Sequence, residues 1–510
     1  MVQNILDYLE ASAASCPGKT AYEDLEQSYT YEEAVEQAKR IGSALLAVLP
    51  QNAPVPVLME KRAQTLNVFM GAVYAGCFYT LVEPEQPAER IRTILETLKA
   101  RIIVTTGELS KPLEELGFGG RVLLAEELAF HEIDEEGLLR RRRTACDTDP
   151  LYAIFTSGST GVPKGVVVCH RSVIDFTEHF TRLFGFERED VIGGQAPFDF
   201  DVSVKDIYPS LKVGATLEVI PKKYFSVPKK LLDFLDDRKV TSLTWAVSAL
   251  CVISMLKGFR YKVPKRIRRV MFSGEVMPVK QLDYWRSYLP DALYVNLYGP
   301  TEITCNCTYY RIDRERRFDG EEGIPIGTAF PNERVFLLDE EDRLLTEPGR
   351  LGEICVTGTA LALGYYRDEE KTRLAFVQNP LNECYPELMY RTGDLGRYDA
   401  RGELYYVTRK DFQIKHMGHR IELGEIEAAF QALPGIERVC CIYDEPNTKI
   451  MGFYVGEPEA KEIIKQLTER LPRFMIPNIF HKVEGMPITK NGKIDRKALM
   501  AEYQEKKTFQ

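Results

Sequence analysis

The chain has 510 residues, of which 45% are hydrophobic and 28% charged, and its formal net charge is −9. This length allows three or four compact units, and the acidic balance argues against a nucleic-acid binder. Eleven cysteines, an odd number, and an N-terminus without the basic start and apolar run of a signal peptide predict a cytoplasmic protein with reduced thiols.

The first part of the chain alternates between helical and strand-like patterns. Helices are predicted at 5–14, 62–75 and 89–99, and strands at 54–59, 77–82 and 101–105. The uncharged run 63–82 is long enough to span a membrane, but polar residues and Gly76 interrupt it, so a buried helix followed by a strand is predicted and no membrane span. The alternation predicts right-handed βαβ units around a parallel sheet.

A polar loop follows, with the sequence Thr-Ser-Gly-Ser-Thr-Gly-Val-Pro-Lys-Gly at 156–165. Apolar runs on both sides of it predict buried strands. Glycines let the backbone approach a ligand and point N–H groups at it, and hydroxyls with a lysine would complete a phosphate cradle. A mobile polar hairpin loop is the alternative. The candidate phosphate-binding residues are Thr156, Ser157, Gly158, Ser159, Thr160 and Lys164.

A second alternating segment, a strand-rich segment and a mixed segment complete the chain. The second α/β segment has helices predicted at 171–184, 229–237 and 279–289, and strands at 191–196, 216–220, 242–246, 269–272 and 293–297. Ligands in such sheets bind beyond the carboxyl ends of the strands. Short runs between Gly, Pro and Asp predict antiparallel strands, a small β-barrel, at about 327–402. We expect a core at 1–408 and a separate α+β domain at 409–510.

Four further motifs carry polar groups at turns. The second motif, Asn296-Leu-Tyr298-Gly299-Pro-Thr301-Glu302, follows a strand; its turn would expose Tyr298 for stacking and Glu302 as a Mg²⁺ ligand. In the third motif, Asp394 follows a glycine turn and could hold a ribose diol. The fourth motif runs from Arg409 through Asp411 to 422. The fifth is an Asn-Gly hairpin signal that would present Lys493 at its tip. Each of these motifs alone is usually just an ordinary turn or surface loop.

The order and spacing of the five motifs resemble those of the acyl- and aminoacyl-adenylate-forming enzymes, from about residue 66 to 497. The greatest similarity is to D-alanine:carrier-protein ligases and freestanding nonribosomal adenylation domains, through the stretches that begin at Phe200 and Phe272. The resemblance implies an α/β, two-domain fold: a large N-terminal domain of two βαβ sheets plus a small β-barrel, and a small mobile α+β C-terminal domain.

The resemblance also implies a ligase reaction in two steps. A carboxylate attacks the α-phosphate of Mg·ATP, and a phosphopantetheine thiol then attacks the mixed anhydride. The residues matching Thr156 and Glu302 contact Mg²⁺, and the one matching Lys493 bridges the carboxylate and the α-phosphate. The C-terminal domain swings about the residue matching Asp411. The candidate nucleotide contacts outside the loop are Asn296, Tyr298, Gly299, Thr301, Asp394, Arg409 and Lys493.

The resemblance places the amino acid near Asp201, which would pair with its ammonium group; the alternative is that Asp201 caps the helix at Ser203. The other candidate substrate residues are Val202, Lys205, Ser273, Gly274 and Asn306. Ser273 stands where D-alanine-selective relatives carry cysteine. Lys205 lies about one helical turn beyond Asp201 and, if buried, would favour a polar or acidic substrate; alternatively its side chain reaches solvent and leaves a small pocket.

Two alternative functions remain possible from the sequence alone. One is an acyl-CoA synthetase that acts on a small carboxylic acid without an amine. The other is a catalytically silent binding or scaffold protein, although Lys493, Glu302 and Asp394 are all present. Because no carrier domain is visible, we expect the partner to be a separate phosphopantetheinylated carrier protein.

Overall fold

The computed structural model describes residues 2–158, 162–318, 323–445, 447–488 and 494–508. The chain forms two compact units: the first comprises 1–84, 97–155 and 165–410, and the second 85–96, 156–164 and 411–510. The second unit therefore includes two segments from the N-terminal half of the chain, among them most of the polar loop, and its last segment begins at Asp411. Sequence patterns did not predict that recruitment.

A nine-stranded sheet organises one part of the first unit. Its six central strands are parallel, and three antiparallel strands flank them. In spatial order the strands are Thr328–Ala329, Thr308–Ile312, Leu293–Tyr298, Arg269–Ser273, Ser242–Ala246, Val191–Gly194, Thr216–Val219, Thr20–Glu23 and Ser28–Thr30.

A seven-stranded sheet organises a second part. In spatial order its strands are Gly364–Tyr365, Lys164–Cys169, Pro150–Thr156, Phe78–Leu81, Pro54–Leu58, Ile102–Thr105 and Arg121–Leu124. The strands from Pro150–Thr156 to Arg121–Leu124 are parallel. The alternating patterns thus correspond to two parallel sheets, and the prediction of an α/β fold is confirmed.

The helices of these layers follow the predicted spacing to within a few residues. The first unit contains Leu6–Ser15, Tyr31–Leu46, Ala63–Tyr74, Gly107–Glu115, Ala125–Leu128, Glu135–Thr144, His170–Phe184, Val204–Val213, Pro228–Asp237, Val247–Met255, Val279–Tyr288 and Glu369–Ala375. Short 3-10 turns lie at Asp201–Ser203, Lys222–Ser226, Gly258–Arg260 and Thr301–Ile303. The uncharged run forms a buried helix and then a strand, as predicted. Over the described ranges, no helix is long and apolar enough to cross a membrane.

Close backbone approach fixes the packing of two of these helices. A Cβ atom on Gly42 would lie 2.6 Å from the Tyr74 Cβ atom, and one on Gly71 would lie 2.5 Å from Ile41. The helix Tyr31–Leu46 begins with a capping box, in which the Thr30 side chain accepts from the Glu33 N–H and Glu33 accepts from the Thr30 N–H. Both helices contribute to the large apolar core of the unit.

The strand-rich segment forms an antiparallel sheet built on one long strand. Its strands, in spatial order, are Leu344–Leu345, Glu333–Leu338, Gly352–Gly358, Leu388–Tyr398 and Phe376–Gln378, and Leu404–Arg409 also pairs with Leu388–Tyr398. This sheet occupies the range in which a small barrel was predicted.

The second unit is α+β. A hairpin of Gln413–His416 and His419–Glu422 precedes a three-stranded sheet of Ile436–Asp444, Lys449–Gly456 and Ile479–Lys482. Its helices are Ala88–Leu98, Leu423–Gln431, Ala460–Thr468 and Arg496–Thr508, and a 3-10 turn lies at Arg473–Met475. An apolar core of its own stabilises the unit, with Ile426, Phe430 and Ile463 fully buried.

Candidate active site

Two of the predicted substrate residues, Lys205 and Ser273, lie at the carboxyl end of a strand of the nine-stranded sheet. Ser273 ends the strand Arg269–Ser273, and the helix Val204–Val213 carries Lys205. Lys205 is 0% exposed, and its Nζ atom donates a 2.7 Å hydrogen bond to the Ser273 Oγ atom. The side chain therefore does not reach solvent, and a buried amine stands beside the end of a parallel strand.

Asn306 adds a second buried donor. Its side chain is 1% exposed, its Oδ1 atom accepts a 3.6 Å hydrogen bond from the Cys305 thiol, and its Nδ2 atom has no hydrogen-bond partner within the described part of the chain. Burial raises the pKa of Cys305 strongly, and nearby Lys205 opposes this rise. Cys305 thus lies close to both Lys205 and Asn306.

Asn306 follows two residues in an unfavourable backbone conformation and packs closely against Gly299. Thr304 and Cys305 adopt positive φ angles of 52° and 80°, which non-glycine residues rarely do. A Cβ atom on Gly299 would lie 2.5 Å from the Asn306 Cα atom, so only glycine allows the two segments to approach this closely. The predicted nucleotide motif and the predicted substrate residue are therefore packed against each other.

Asp201 belongs to the 3-10 turn Asp201–Ser203, which leads into the helix of Lys205. Burial is the main cause of the raised pKa of the Cys305 thiol; Lys205 opposes this rise, and the negative charge of Asp201 adds to it. The Asp201 carboxylate therefore lies in the same electrostatic environment as Cys305 and Lys205. The helix that follows has Ser203 as its N-cap residue and has no side-chain cap. Val202 is half-buried in the same turn, and Gly274 has a φ of +94° with open space within 4 Å of the point where a Cβ atom would stand.

Sequence reasoning missed two charged residues in this region, Asp206 and Lys61. Asp206 is buried, its Oδ1 atom has no hydrogen-bond partner among the described residues, and burial raises its pKa, with Lys61 and Lys205 opposing. Lys61 Nζ donates to the carbonyl oxygens of Gly194 at 2.8 Å and Gln195 at 2.9 Å, at the end of a parallel strand. Two adjacent charged residues, Lys205 and Asp206, between the apolar Val204 and Ile207 were the available signal.

The predicted nucleotide residues form a hydrogen-bonded chain in the first unit. The Tyr298 hydroxyl donates to Asp394 Oδ2 at 2.5 Å, and Arg409 Nη1 donates to Asp394 Oδ1 at 2.6 Å. Asp394 is 1% exposed, so a buried carboxylate is stabilised by one cation and one hydroxyl. Residues from three separate motifs therefore meet at one carboxylate. Asn296 lies nearby in the chain and donates to the Pro325 carbonyl at 2.9 Å.

Glu302 and Thr301 form the 3-10 turn that follows this strand. Glu302 is fully buried, and its Oε1 atom accepts a 2.8 Å hydrogen bond from the Tyr365 hydroxyl. Tyr365 was not predicted as a site residue. The hydroxyl orients the carboxylate.

The predicted phosphate loop, residues 156–164, belongs to the second unit. The Thr156 Oγ1 atom is buried and has no hydrogen-bond partner in the described ranges. A Cβ atom on Gly158 would lie 2.1 Å from the Val162 carbonyl oxygen, which explains a glycine there. Ser157 is buried and Lys164 begins the next strand. Ser159 and Thr160 lie outside the described residues, as does Lys493. Asp411 is exposed, begins the last segment of the second unit and accepts from the Gln413 N–H at 3.1 Å.

Two family models match most of this chain. The family model "AMP-binding enzyme" matches residues 9–366, and the model of its C-terminal domain matches residues 425–493. A D-alanine--D-alanyl carrier protein ligase of Bacillus cytotoxicus is 31% identical over 98% of this chain and 99% of its own length. Tyrocidine synthase 1 of Brevibacillus parabrevis is 30% identical over 98% of this chain but only 45% of its own length.

The first curated relatives are much longer than this chain, which spans less than half of each of them. Among solved structures, holo-PA1221, a nonribosomal peptide synthetase protein with adenylation and carrier domains, has a TM-score of 0.83 and 25% identity over 98% of this chain and 84% of its own. The Vibrio cholerae adenylation domain AlmE has a TM-score of 0.86 at 22% identity over 99% and 98% of the two chains, and shows the same fold. Because one family model covers more than half of the residues and its C-terminal companion matches where the second unit lies, the chain belongs to the AMP-binding enzyme family.

Proposed function

We propose that this AMP-binding enzyme is a ligase that activates an amino acid with ATP and transfers it to a carrier protein. A substrate carboxylate oxygen attacks the α-phosphorus, and pyrophosphate leaves. A phosphopantetheine thiol then loses its proton and attacks the acyl carbon, so that a thioester forms and AMP leaves. The end-to-end match to D-alanine--D-alanyl carrier protein ligases supports this proposal, because those relatives have the same length and are named for this reaction.

The hydrogen bonds that join Tyr298 and Arg409 to Asp394 are the observation that best supports a nucleotide site here. A carboxylate already held by a cation and a tyrosine is positioned to accept hydrogen bonds from a ribose diol. The Tyr298 ring is only 5% exposed, so the turn does not present it for stacking as the sequence predicted. In this proposal Asn296, Gly299 and Thr301 complete the adenosine side. The loop residues, including Ser159 and Thr160, hold the phosphates together with Lys164, and Lys493 bridges the reacting groups.

Mg²⁺ fits the chemistry of two residues. The buried Thr156 hydroxyl, which has no hydrogen-bond partner among the residues that the structure describes, and the Glu302 carboxylate are hard oxygen donors of the kind that Mg²⁺ prefers. The ion would supply positive charge to the transferring phosphoryl group. The cytoplasm, with its ATP and reduced thiols, is the location we propose for this reaction.

The pocket favours a substrate more polar than alanine. Lys205 Nζ and Asn306 Nδ2 are buried donors, and in the described residues the Ser273 hydroxyl is the oxygen that accepts from Lys205. Burying donors without acceptors is costly, so a ligand that brings an acceptor would be bound preferentially. We therefore propose an amino acid with a carboxylate or carboxamide side chain, whose ammonium group pairs with Asp201.

Amino-acid-dependent exchange of pyrophosphate into ATP tests both levels of the proposal. The panel contains D- and L-alanine, D- and L-aspartate, D- and L-asparagine, and the corresponding acids without an amine. Exchange with any amino acid, followed by loading of a phosphopantetheinylated carrier protein, is expected. Exchange only with acids that lack an amine, and product formation with coenzyme A, would establish the acyl-CoA synthetase instead. Absence of exchange across a broad panel would revive the binding-protein reading.

A further inference from the structure

A carboxylate of the protein occupies the phosphate loop. The Gly158 N–H donates a 3.2 Å hydrogen bond to Glu425 Oε2, and Arg90 forms an ion pair with Glu425 Oε1. The Glu425 side chain is 3% exposed and that of Arg90 10% exposed. All three residues belong to the second unit, although they come from three separate parts of the chain.

Ser157, the preceding residue of the loop, is hydrogen-bonded to backbone groups of the same region. The Ser157 hydroxyl donates to the Arg420 carbonyl at 2.7 Å and accepts from the Glu422 N–H at 3.2 Å. Arg420 and Glu422 lie in the hairpin strand His419–Glu422, which leads directly into the helix that carries Glu425. One short segment, residues 420–425, therefore forms hydrogen bonds with both Ser157 and Gly158.

These are the groups that a phosphate would use. Backbone N–H groups and hydroxyls of a glycine- and serine-rich loop bind anionic oxygens, and a carboxylate offers the same two-oxygen, negatively charged acceptor as a phosphate edge. A single N–H donates one strong hydrogen bond at a time. A phosphate oxygen and Glu425 Oε2 consequently exclude each other at Gly158.

Arg90 makes this arrangement possible. Burial raises the pKa of Glu425, whereas Arg90 and the Gly158 N–H oppose that rise and favour the carboxylate. A buried carboxylate without a cation would be costly, so the ion pair allows the charge to remain in the loop. Arg90 and the Gly158 N–H thus form an anion-binding site that the Glu425 carboxylate occupies.

We propose that Glu425 is an internal competitor for the phosphates of ATP. The phosphate loop exchanges two anions, the nucleotide phosphates and the Glu425 carboxylate. ATP must displace the carboxylate to bind, and the carboxylate reoccupies the loop once pyrophosphate has left, which disfavours the reverse reaction. This inference rests on the proposed role of residues 156–164 as the phosphate loop.

The test compares Glu425→Gln with Glu427→Gln. Glutamine keeps the size of residue 425 but removes its charge, so it competes poorly. Glu427 lies on the same helix and forms an ion pair with Arg496 at 2.8 Å, which makes it a matched control for the loss of a paired carboxylate. We expect Glu425→Gln to bind a non-hydrolysable ATP analogue about tenfold more tightly, and pyrophosphate more tightly as well, because a charge-assisted hydrogen bond no longer opposes them. Glu427→Gln should bind both as the parent does.

Hydrogen exchange in the peptide 156–164 provides a second measurement. Without ligand, exchange should be faster in Glu425→Gln than in the parent, and the ATP analogue should restore protection in both. Unchanged or weaker analogue binding in Glu425→Gln would overturn the competitor role, as would unchanged exchange in the unliganded loop. Failure of the parent to bind the analogue at all would instead contradict the proposed function, so the two failures are distinguishable.

Discussion

Lys205 Nζ and Ser273 Oγ, which are 68 residues apart in the chain, form a 2.7 Å hydrogen bond in the interior of the first unit. The bond joins the first turn of a helix to the carboxyl end of a parallel strand, where ligands of open α/β sheets bind. A neutral hydroxyl compensates only partly for burying an amine. The pocket should therefore select for a substrate that supplies an acceptor.

Replacing Lys205 by methionine should shift substrate preference. Methionine fills similar space without a donor, so acidic or amide side chains lose their partner and small apolar ones fit better. The ratio of kcat/KM for aspartate to that for alanine should fall at least about tenfold, since each buried contact to a substrate group contributes a few kcal/mol. Pyrophosphate exchange over the amino-acid panel measures this ratio.

The control for that variant is Lys230→Met, which removes an exposed lysine from the neighbouring helix Pro228–Asp237 and should leave the ranking unchanged. If D-alanine proves the best substrate of the parent and Lys205→Met keeps the same order, the polar-pocket proposal is wrong and plain D-alanine activation remains.

Asn306→Asp tests the second donor of the pocket. The change is nearly isosteric, but it replaces the amide, whose Nδ2 atom has no hydrogen-bond partner among the described residues, by a carboxylate. That carboxylate repels an anionic side chain and competes for Lys205. Activation of aspartate should fall by more than about tenfold, while activation of alanine should change less. Equal losses for both amino acids, measured by exchange at saturating ATP, would indicate general damage to the site rather than a role in specificity.

The sequence predicted much of the fold because the apolar periodicities of both α/β segments are local. Helical spacing also predicted that Asp201 and Lys205 lie close together. Burial of Lys205, however, depends on packing against Ser273 and Cys305, which no local sequence pattern encodes. Glu425 was missed for the same reason: its partners Arg90 and Gly158 are 335 and 267 residues away. Long-range pairs of charged groups require the tertiary structure.

Lys493 should matter for adenylation far more than for thioester formation. Its predicted place at a hairpin tip, matching the lysine that bridges carboxylate and α-phosphate, motivates this expectation. Lys493→Ala should nearly abolish pyrophosphate exchange while a supplied aminoacyl-adenylate still loads the carrier. Lys497→Ala, which removes an exposed lysine four residues on, serves as the control. Equal loss in both half-reactions would contradict the division of labour.

Asp411 should act as a hinge between the two reaction steps. Proline at this position fixes φ near −65° and removes the backbone donor, so a torsional change there is blocked. Asp411→Pro should exchange pyrophosphate normally but load the carrier slowly. Asp411→Ala removes the side-chain bond to the Gln413 N–H but leaves φ free, so it should load the carrier at nearly the parental rate. Rapid carrier loading by the proline variant would refute the hinge.

His170 should make the protein sensitive to acid. Its ring is buried, its Nδ1 atom accepts a 3.3 Å hydrogen bond from the Ile5 N–H, and burial, reinforced by Arg142, lowers its pKa to about 4 from an ordinary 6.5. Between these values the unfolded chain binds more protons than the folded one. The contribution of the neutral His170 ring to the free energy of unfolding is therefore fully present above pH 6.5 and is lost as the pH drops toward 4, by about 3 kcal/mol in all.

His170→Asn separates this effect from general acid denaturation. The asparagine Oδ1 atom can take the place of Nδ1 as acceptor for the Ile5 N–H, but it does not become protonated. Urea unfolding at pH 7 and pH 5 should show a smaller loss of stability for this variant than for the parent, by about 2 kcal/mol. His131→Asn, which changes an exposed histidine, should lose as much as the parent. If His170→Asn and the parent lose equal stability, the buried ring is protonated in the folded state without penalty, and acid sensitivity must come from other groups.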